Sequence, residues 1–378
     1  LIPLSLYIHI PWCIQKCPYC DFNSHPLPDK LPASAYVKKL LADLASDIHC
    51  FDESRQLNTI FIGGGTPSLF SGEAIARLLS GIRQQISWHE SIEITLEANP
   101  GALDERHFAA YRRAGVNRLS IGVQSFADSQ LAQLGRVHKG SEAERAVKVA
   151  QDAGFDNINI DLMFGLPAQT LADALCDIER GIAMQTSHLS YYQLTIEPNT
   201  FFAHRPPLLP VSDAIAVQFE QASERLQAAG FCRYEVSAWS QPGKQCQHNL
   251  NYWSYGDYLG IGAGAHGKIS LFDNRQQRII RTTKPRSPKH YLQRPLLRQQ
   301  RQVEAGDKAF EFMLNTLRLT EGFATSTIEE RGGFSRKSIE KTLQTLVTKR
   351  LLMVDEEYIS PTELGQRFVN DMVSSFLS

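Results

Sequence analysis

Cys13-Ile14-Gln15-Lys16-Cys17-Pro18-Tyr19-Cys20 puts three thiols within eight positions. Cysteine sulfur is the usual protein ligand to iron–sulfur clusters, so three thiolates on one short loop can each hold one iron of a cubane. With no fourth cysteine nearby, one iron stays open to an outside chelator. The amino and carboxylate groups of a methionine moiety can fill that place. A zinc knuckle is the competing reading. Zinc wants four closed ligands, and His9 or His25 can complete a Cys3His set, but C-x3-C is not a favoured zinc spacing. The spacing favours the open iron–sulfur cluster. The other cysteines, Cys50, Cys176, Cys232 and Cys246, are scattered. Seven in 378 residues is an odd, modest count. It suits a cytosolic protein with one metal site better than a disulfide scaffold.

Two glycine-rich segments can bring backbone close to a ligand. Gly63-Gly64-Gly65-Thr66-Pro67 follows an apolar run, and glycine permits both close approach and a positive φ. A tight turn explains the same residues. Gly262-Ala263-Gly264-Ala265-His266-Gly267 reads as G-x-G-x-x-G. It opens no early βαβ unit and no Asp or Glu stands about 20 residues on, so it is not a dinucleotide fingerprint.

These groups need a frame. Short β-rich runs at 4–10, 59–62, 92–97, 118–123, 158–163 and 189–196 alternate with amphipathic stretches near 34–48, 73–85, 104–114, 141–153 and 170–184. Six βα units in series predict an α/β fold with a parallel sheet, either an incomplete barrel or an open doubly wound sheet. Runs such as 59–62 suit strands buried on both faces. In either geometry the reactive groups gather at the carboxyl ends of the strands. The cysteine loop follows the first strand and the Gly-Gly-Gly loop the second.

Composition agrees. The chain is 43% hydrophobic and 21% charged, the balance of a globular rather than a disordered protein. Its net charge of −1 excludes a polybasic nucleic-acid binder at whole-chain level. No apolar window reaches the length of a membrane span. The apolar start, 1–10, lacks a basic n-region and a cleavage site, so it reads as a strand and not as a signal peptide.

Beyond Pro206–Pro210 the pattern changes. A helix near 213–229 precedes a strand near 234–238 and a loop at 245–267 rich in Asn, Gly and aromatics. Residues 274–301 hold nine Lys/Arg and no Asp/Glu. Such a stretch can meet propionates, an acidic partner or nucleic acid, or it can be a solvated connector facing an acidic first domain. From 304 onward, helical stretches at 307–318, 325–331 and 335–349 lead to a hairpin at 351–359, a winged-helix-like α+β pattern. Ile339, Leu343, Leu346 and Val347 form its core stripe. This segment carries nine Lys/Arg against twelve Asp/Glu, unlike a DNA-reading winged helix. The expected organisation is a core at 1–205, an associated extension at 206–303 and a terminal docking or lid domain at 304–378.

C-x3-C-x2-C with an aromatic before the last cysteine, at the end of strand 1 of a βα repeat, resembles the radical S-adenosylmethionine (SAM) superfamily. The resemblance implies a partial (β/α)6 TIM-like barrel and a 4Fe-4S cluster on Cys13, Cys17 and Cys20. It also implies that the reduced cluster can pass one electron into the SAM sulfonium, releasing methionine and a 5′-deoxyadenosyl radical. Gly64, Gly65 and Thr66 match the segment that holds the methionyl end. Tyr7, Tyr19, Glu97, Gln124, Arg136 and Asp161 match residues that contact SAM. Each has a plainer reading: Glu97 as a helix cap, Arg136 as a surface charge, Asp161 as a buried partner of a neighbouring strand.

Gly-Gly-Gly-Thr-Pro, Gly122-Val-Gln-Ser-Phe126 and Asp161-Leu-Met-Phe-Gly-Leu-Pro167 extend the resemblance to the coproporphyrinogen dehydrogenase-like group. That group contains an oxygen-independent coproporphyrinogen III dehydrogenase and a branch of heme chaperones. Asp21 and Phe22 stand where the dehydrogenase has a further cysteine. Only 12 residues precede Cys13, against a long extension there. His248-Asn249-Leu250-Asn251-Tyr252-Trp253 matches the chaperones' H-N-x-x-Y-W motif. All three features point to the chaperone branch. The resemblance then implies heme as cargo, with His248 as axial ligand, Tyr252 and Trp253 lining an apolar slot, and Cys246 as a rival ligand. The plainer reading is a hydrogen-bonded loop histidine. The expected partner is an acceptor hemoprotein, to be sought among respiratory proteins at the membrane. Nucleic acid is not expected, and a homodimer is left open. The expected location is the cytoplasm, with any inner-membrane attachment made through a partner.

Overall fold

The computed structural model describes residues 2–49, 55–101, 106–273, 276–293 and 298–377. Six parallel strands form its centre: β1 (Leu4–Ile10), β2 (Leu57–Gly64), β3 (Trp88–Ala98), β4 (Arg118–Gln124), β5 (Ile158–Phe164) and β6 (His188–Gln193). They pair in chain order. Crossover helices α1 (Ala33–Ile48), α2 (Gly72–Arg83), α3 (Phe108–Ala114), α4 (Gly140–Asp152) and α5 (Leu171–Ala183) link them. The α/β expectation holds. The boundaries have local causes. Thr170 and Asp173 cap each other's backbone N–H groups at 3.2 and 2.9 Å, which starts α5 where the capping-box spacing says it should.

The strands send alternate side chains to opposite faces, with register shifts where β1 meets β2, β2 meets β3 and β4 meets β5. In β1, Leu4, Leu6, Ile8 and Ile10 join helix residues such as Leu40, Ile75 and Leu78 in one apolar core. Each fully buried side chain of this kind contributes roughly 1.5–3 kcal/mol. Ser5, Tyr7 and His9 turn the other way, toward Thr59, Phe61 and Gly64. The run at 59–62 is therefore buried on both faces, but its inner face is polar as well as apolar.

The sheet does not stop at six strands. α6 (Ser212–Ala228) packs against α5 and leads to β7 (Cys232–Glu235) and β8 (Ala238–Ser240), which pair antiparallel beyond β6. Two short strands thus replace the single one expected at 234–238. The segment read as a loop at 245–267 contains helix α7 (Gln247–Trp253) and strand β9 (Asp257–Ile261), parallel to β1. β10 (His266–Asp273), β11 (Gln276–Thr283) and β12 (Gln299–Gln302) continue antiparallel. β12 and β7 are the two edges of this twelve-stranded sheet, so the barrel is open.

A second core lies in the C-terminal domain, built from α8 (Lys308–Thr316), β13 (Phe323–Ala324), α9 (Glu340–Thr348), β14 (Leu352–Val354) and β15 (Tyr358–Pro361). The three strands pair in the order β13-β15-β14. Ile339, Leu343 and Leu346 are buried as the stripe predicts, but Val347 is 41% exposed. It falls one residue past the face that α9 turns inward. The basic stretch is largely internal bracing. Lys284 is buried against Asp43 and Asp47 of α1, Arg298 joins Asp47, and Arg281 and Arg301 bind Glu311 of α8. Arg275 and Arg294 lie outside the described residues, as do Cys50 and the start of the helical stretch at 104.

Candidate functional site

At the carboxyl ends of β1–β6 lies a cavity of about 360 Å³. Cys13, Cys17 and Cys20 all line it. So do Tyr19, Gly64, Gly65, Thr66, Glu97, Gln124, Arg136 and Asp161, brought together from β2 to β5, the cysteine loop and the loop ahead of α4. Tyr7 does not line the cavity. Its hydroxyl bonds His9 Nδ1 at 3.0 Å, and His9 Nε2 bonds the Asn23 carbonyl at 2.9 Å. This pair braces β1 against the chain that follows Cys20.

The Gly-Gly-Gly loop is held against the cysteine loop by backbone. Gly65 N–H donates to Ile10 O at 2.7 Å and Thr66 N–H to Trp12 O at 2.8 Å. A side chain at Gly64, where φ is +113°, would lie 2.6 Å from the His9 ring. One at Gly65 would lie 2.6 Å from Trp12 O. Both positions require glycine.

Burial shifts both carboxyls here upward. Glu97 Oε2 accepts from Gly64 N–H at 3.0 Å. Burial, and then the Asp161 charge, push the Glu97 carboxyl up to about 8. Burial also raises Asp161, against the pull of Asn159, which donates to it at 2.8 Å. Burial raises the Cys13 and Cys20 thiols. Arg136 is not a surface charge. Burial opposes its charge, and Tyr19 and then Cys17 raise it nonetheless. Its Nη1 points at Cys17 Sγ, 3.7 Å away. Gln124 ends β4 with φ of +71° and accepts from the Tyr192 hydroxyl. A non-glycine residue in that region costs of order 1–2 kcal/mol, a strain kept at the rim of the cavity.

Among the described residues, no three Cys, His, Asp or Glu side chains converge on a single-ion point. Thiolates that each bind a different iron of a cubane need not do so. The chemistry of the donor set fits such a cluster.

The motif at 248–253 lies at the other end of the barrel. Its residues contact the amino-terminal halves of the strands. Glu93 of β3 accepts from Gln247 N–H and His248 N–H, each at 3.1 Å, and from the Cys246 thiol at 3.5 Å. His248 is 1% exposed. Its ring lies between Phe61 and Tyr252, with centroids 5.1 and 4.7 Å away. Nδ1 lies 2.7 Å from Thr59 Oγ1, which gives its own proton to Ser5. Nδ1 therefore carries the imidazole proton, and Nε2 is buried with no partner. Burial, then Arg118, lower the ring to about 3, so it is neutral. Cys246 is sealed in the same network. Trp253 carries the Arg318 guanidinium 4.3 Å from its ring centroid, and Arg331 donates to Ser254 O at 2.8 Å. α7 is thus a helix closing the barrel floor, clamped by the C-terminal domain, where a loop was expected.

Sequence reasoning missed Asn99, Met163 and Tyr192 in the cavity wall and the floor network of Ser5, Thr59, Glu93, Arg118, Asn159 and His188. The signal was present in the alternation of Leu4-Ser-Leu-Tyr-Ile-His-Ile10 and Arg118-Leu-Ser-Ile-Gly-Val-Gln124.

A family model described as Radical SAM superfamily matches residues 7–178, and one described as HemN C-terminal domain matches 303–368. "Heme chaperone HemW" of Escherichia coli is 50% identical over 378 residues, covering 100% of this chain and 99% of the relative. The chain belongs to the HemW family of radical SAM proteins. "Heme chaperone HemW" of Haemophilus influenzae is 46% identical, and that of Bacillus subtilis 34%, each spanning 99% of the relative and at least 99% of this chain. A solved structure of coproporphyrinogen III oxidase (HemN) from Escherichia coli has a similar fold, with a TM-score of 0.82 at 23% identity. It is covered over 90% of its length by 100% of this chain. The HemW-family fold therefore includes both the open barrel and the C-terminal domain. No described helix is long and apolar enough to cross a membrane.

Proposed function

We propose that this protein binds a 4Fe-4S cluster on Cys13, Cys17 and Cys20, takes SAM in the cavity above it, and carries heme to an acceptor hemoprotein. The observation that supports the first part is the convergence of all three thiols on one cavity with the glycine cradle and the half-buried Glu97, Asp161 and Arg136. The relatives' name supports the heme part. When bound, the cluster supplies one-electron chemistry at an iron left free of protein ligands. The chain's own residues bind and orient. Gly64 and Gly65 let backbone approach a ligand. Glu97, whose carboxyl is raised to about 8, can give up its proton and face a cationic ligand as the carboxylate. Tyr19 and Arg136 close the wall beside Cys17.

His248 as heme ligand belongs to the same reading. A neutral ring that donates through Nδ1 and leaves Nε2 bare has the electronic set-up of a metal-binding imidazole. Nε2 is sealed, so heme can reach it only after α7 leaves its seat. Tyr252 and Trp253 would then flank the macrocycle.

The test is anaerobic reconstitution with iron and sulfide, then heme titration and transfer to an apo-hemoprotein. Heme binding with transfer supports the reading. Failure to bind heme in either cluster state contradicts it. The fold shared with the coproporphyrinogen oxidase favours a second reading, oxidative decarboxylation of coproporphyrinogen III. Turnover of that substrate with 5′-deoxyadenosine release would replace the first reading.

A further inference from the structure

Asn99 follows β3 and belongs to none of the motifs above. Its carboxamide joins the environments of two of the three cysteines. Oδ1 accepts from Arg136 Nη2 at 2.6 Å, and Nδ2 donates to Thr66 Oγ1 at 3.0 Å. Arginine only donates, so the amide can face one way. Beyond each partner stands a sulfur. Arg136 Nη1 points at Cys17 Sγ, 3.7 Å away, while its Nη2 is also held by Gly122 O at 2.7 Å. Thr66 and Cys13 line the same cavity, and the Thr66 hydroxyl lowers the Cys13 thiol against the effect of burial. Thr66 has one proton. With Asn99 as its donor, that proton is free for the sulfur. Asn99 thus aims a cation at one cysteine and a hydroxyl at another.

We infer that Asn99 is a positioning residue that keeps Thr66 and Arg136 on the Cys13 and Cys17 sulfurs and so raises the reduction potential of the cluster they hold. The inference rests on the cluster reading above. Donors and positive charge at cluster sulfurs favour the reduced, more negative state. Two of the three ligands are tuned through one amide, and loss of that amide releases both donors together.

The test is a potentiometric titration followed by electron paramagnetic resonance, on the full chain reconstituted anaerobically. Asn99→Ala should load iron and sulfide as the wild type does, with a midpoint shifted to more negative potential and an altered signal of the reduced state. Thr66→Val should give part of that shift, and Asn99→Ala added to Thr66→Val less than the sum of the two. Asn99→Asp serves if the alanine variant fails to load. It keeps the acceptor for Arg136, loses the donor to Thr66 and adds negative charge, so its midpoint also falls. A wild-type midpoint in a fully loaded Asn99→Ala or Asn99→Asp protein overturns the inference. A wild-type chain that assembles no cluster removes the underlying reading, and this inference with it.

Discussion

The two ends of the barrel are built from similar residues and behave differently. Both gather carboxyls and an arginine around the inner face of the same strands, Glu93 and Arg118 at the floor, Glu97, Asp161 and the loop residue Arg136 at the mouth. At the floor most of these groups satisfy one another, with His248 Nε2 and Arg118 Nε left unpaired. Glu93 accepts three donors from the start of α7, His188 bonds both Asn159 and Tyr234, and Thr59 links Ser5 to His248. At the mouth the same types surround open space. Glu97 has one hydrogen bond from Gly64, the three thiols face a cavity, and Gln124 holds a strained backbone. Buried polar groups cost stability unless paired, so a network closed on itself serves structure and one left incomplete awaits a ligand.

That contrast can be broken most severely at the mouth. Cys17→Ala, or either companion substitution, should reduce iron and acid-labile sulfide after reconstitution to background. The unfolding midpoint of the apo-protein should stay near wild type, because the hydrogen bond that Cys17 accepts from the Arg136 side chain is long at 3.7 Å. At the floor the order reverses. Glu93→Ala strands the donors of Cys246, Gln247 and His248 and leaves Arg118 without its neighbouring carboxyl. Removing one partner of such a buried set costs about 3–5 kcal/mol, readable by chemical denaturation. Correctly folded Glu93→Ala protein should still load a cluster.

A pH series sharpens the difference. The Glu97 carboxyl is raised from an ordinary 4.5 to about 8, so the folded chain keeps a proton that the unfolded chain releases. The stability linked to that proton is complete below about 4.5 and is lost as pH rises through about 8. Glu97→Gln should abolish this slope and gain on the order of a few kcal/mol over wild-type apo-protein at pH 8. A parallel slope in both proteins would mean that Glu97 is not the group. The smallest expected effect is His248→Ala. It should cost about 1–2 kcal/mol through the hydrogen bond lost at Thr59, which keeps its bond to Ser5, and the lost packing. Heme retention measured on the same variant separates structure from ligation. Retention equal to wild type would remove His248 from the heme site.

Much of the mouth was legible because its signals are local. C-x3-C-x2-C, Gly-Gly-Gly-Thr-Pro and the strand ends are short motifs, and a parallel βα series delivers strand ends to one side. The floor was not legible for the opposite reason. His248 meets Thr59 across 189 residues and Glu93 across 155, pairings that no local pattern encodes. A loop reading of 245–267 followed from its Asn, Gly and aromatic content. Helix α7 forms there because Glu93 satisfies the N–H groups at its start. The basic stretch looked like a surface feature since Asp43 and Asp47 are 237 or more residues away from Lys284. Asn99 escaped notice because its importance lies in what it touches.

The account stands on Cys13, Cys17 and Cys20 dividing a cubane between them and leaving one iron to SAM. Mössbauer spectroscopy of the anaerobically reconstituted protein, with and without SAM, reads this directly. The expected spectrum has four irons per cluster, one of them distinct and shifted when SAM is added. Four irons indifferent to SAM, or a protein that carries zinc and no labile sulfide, would contradict it.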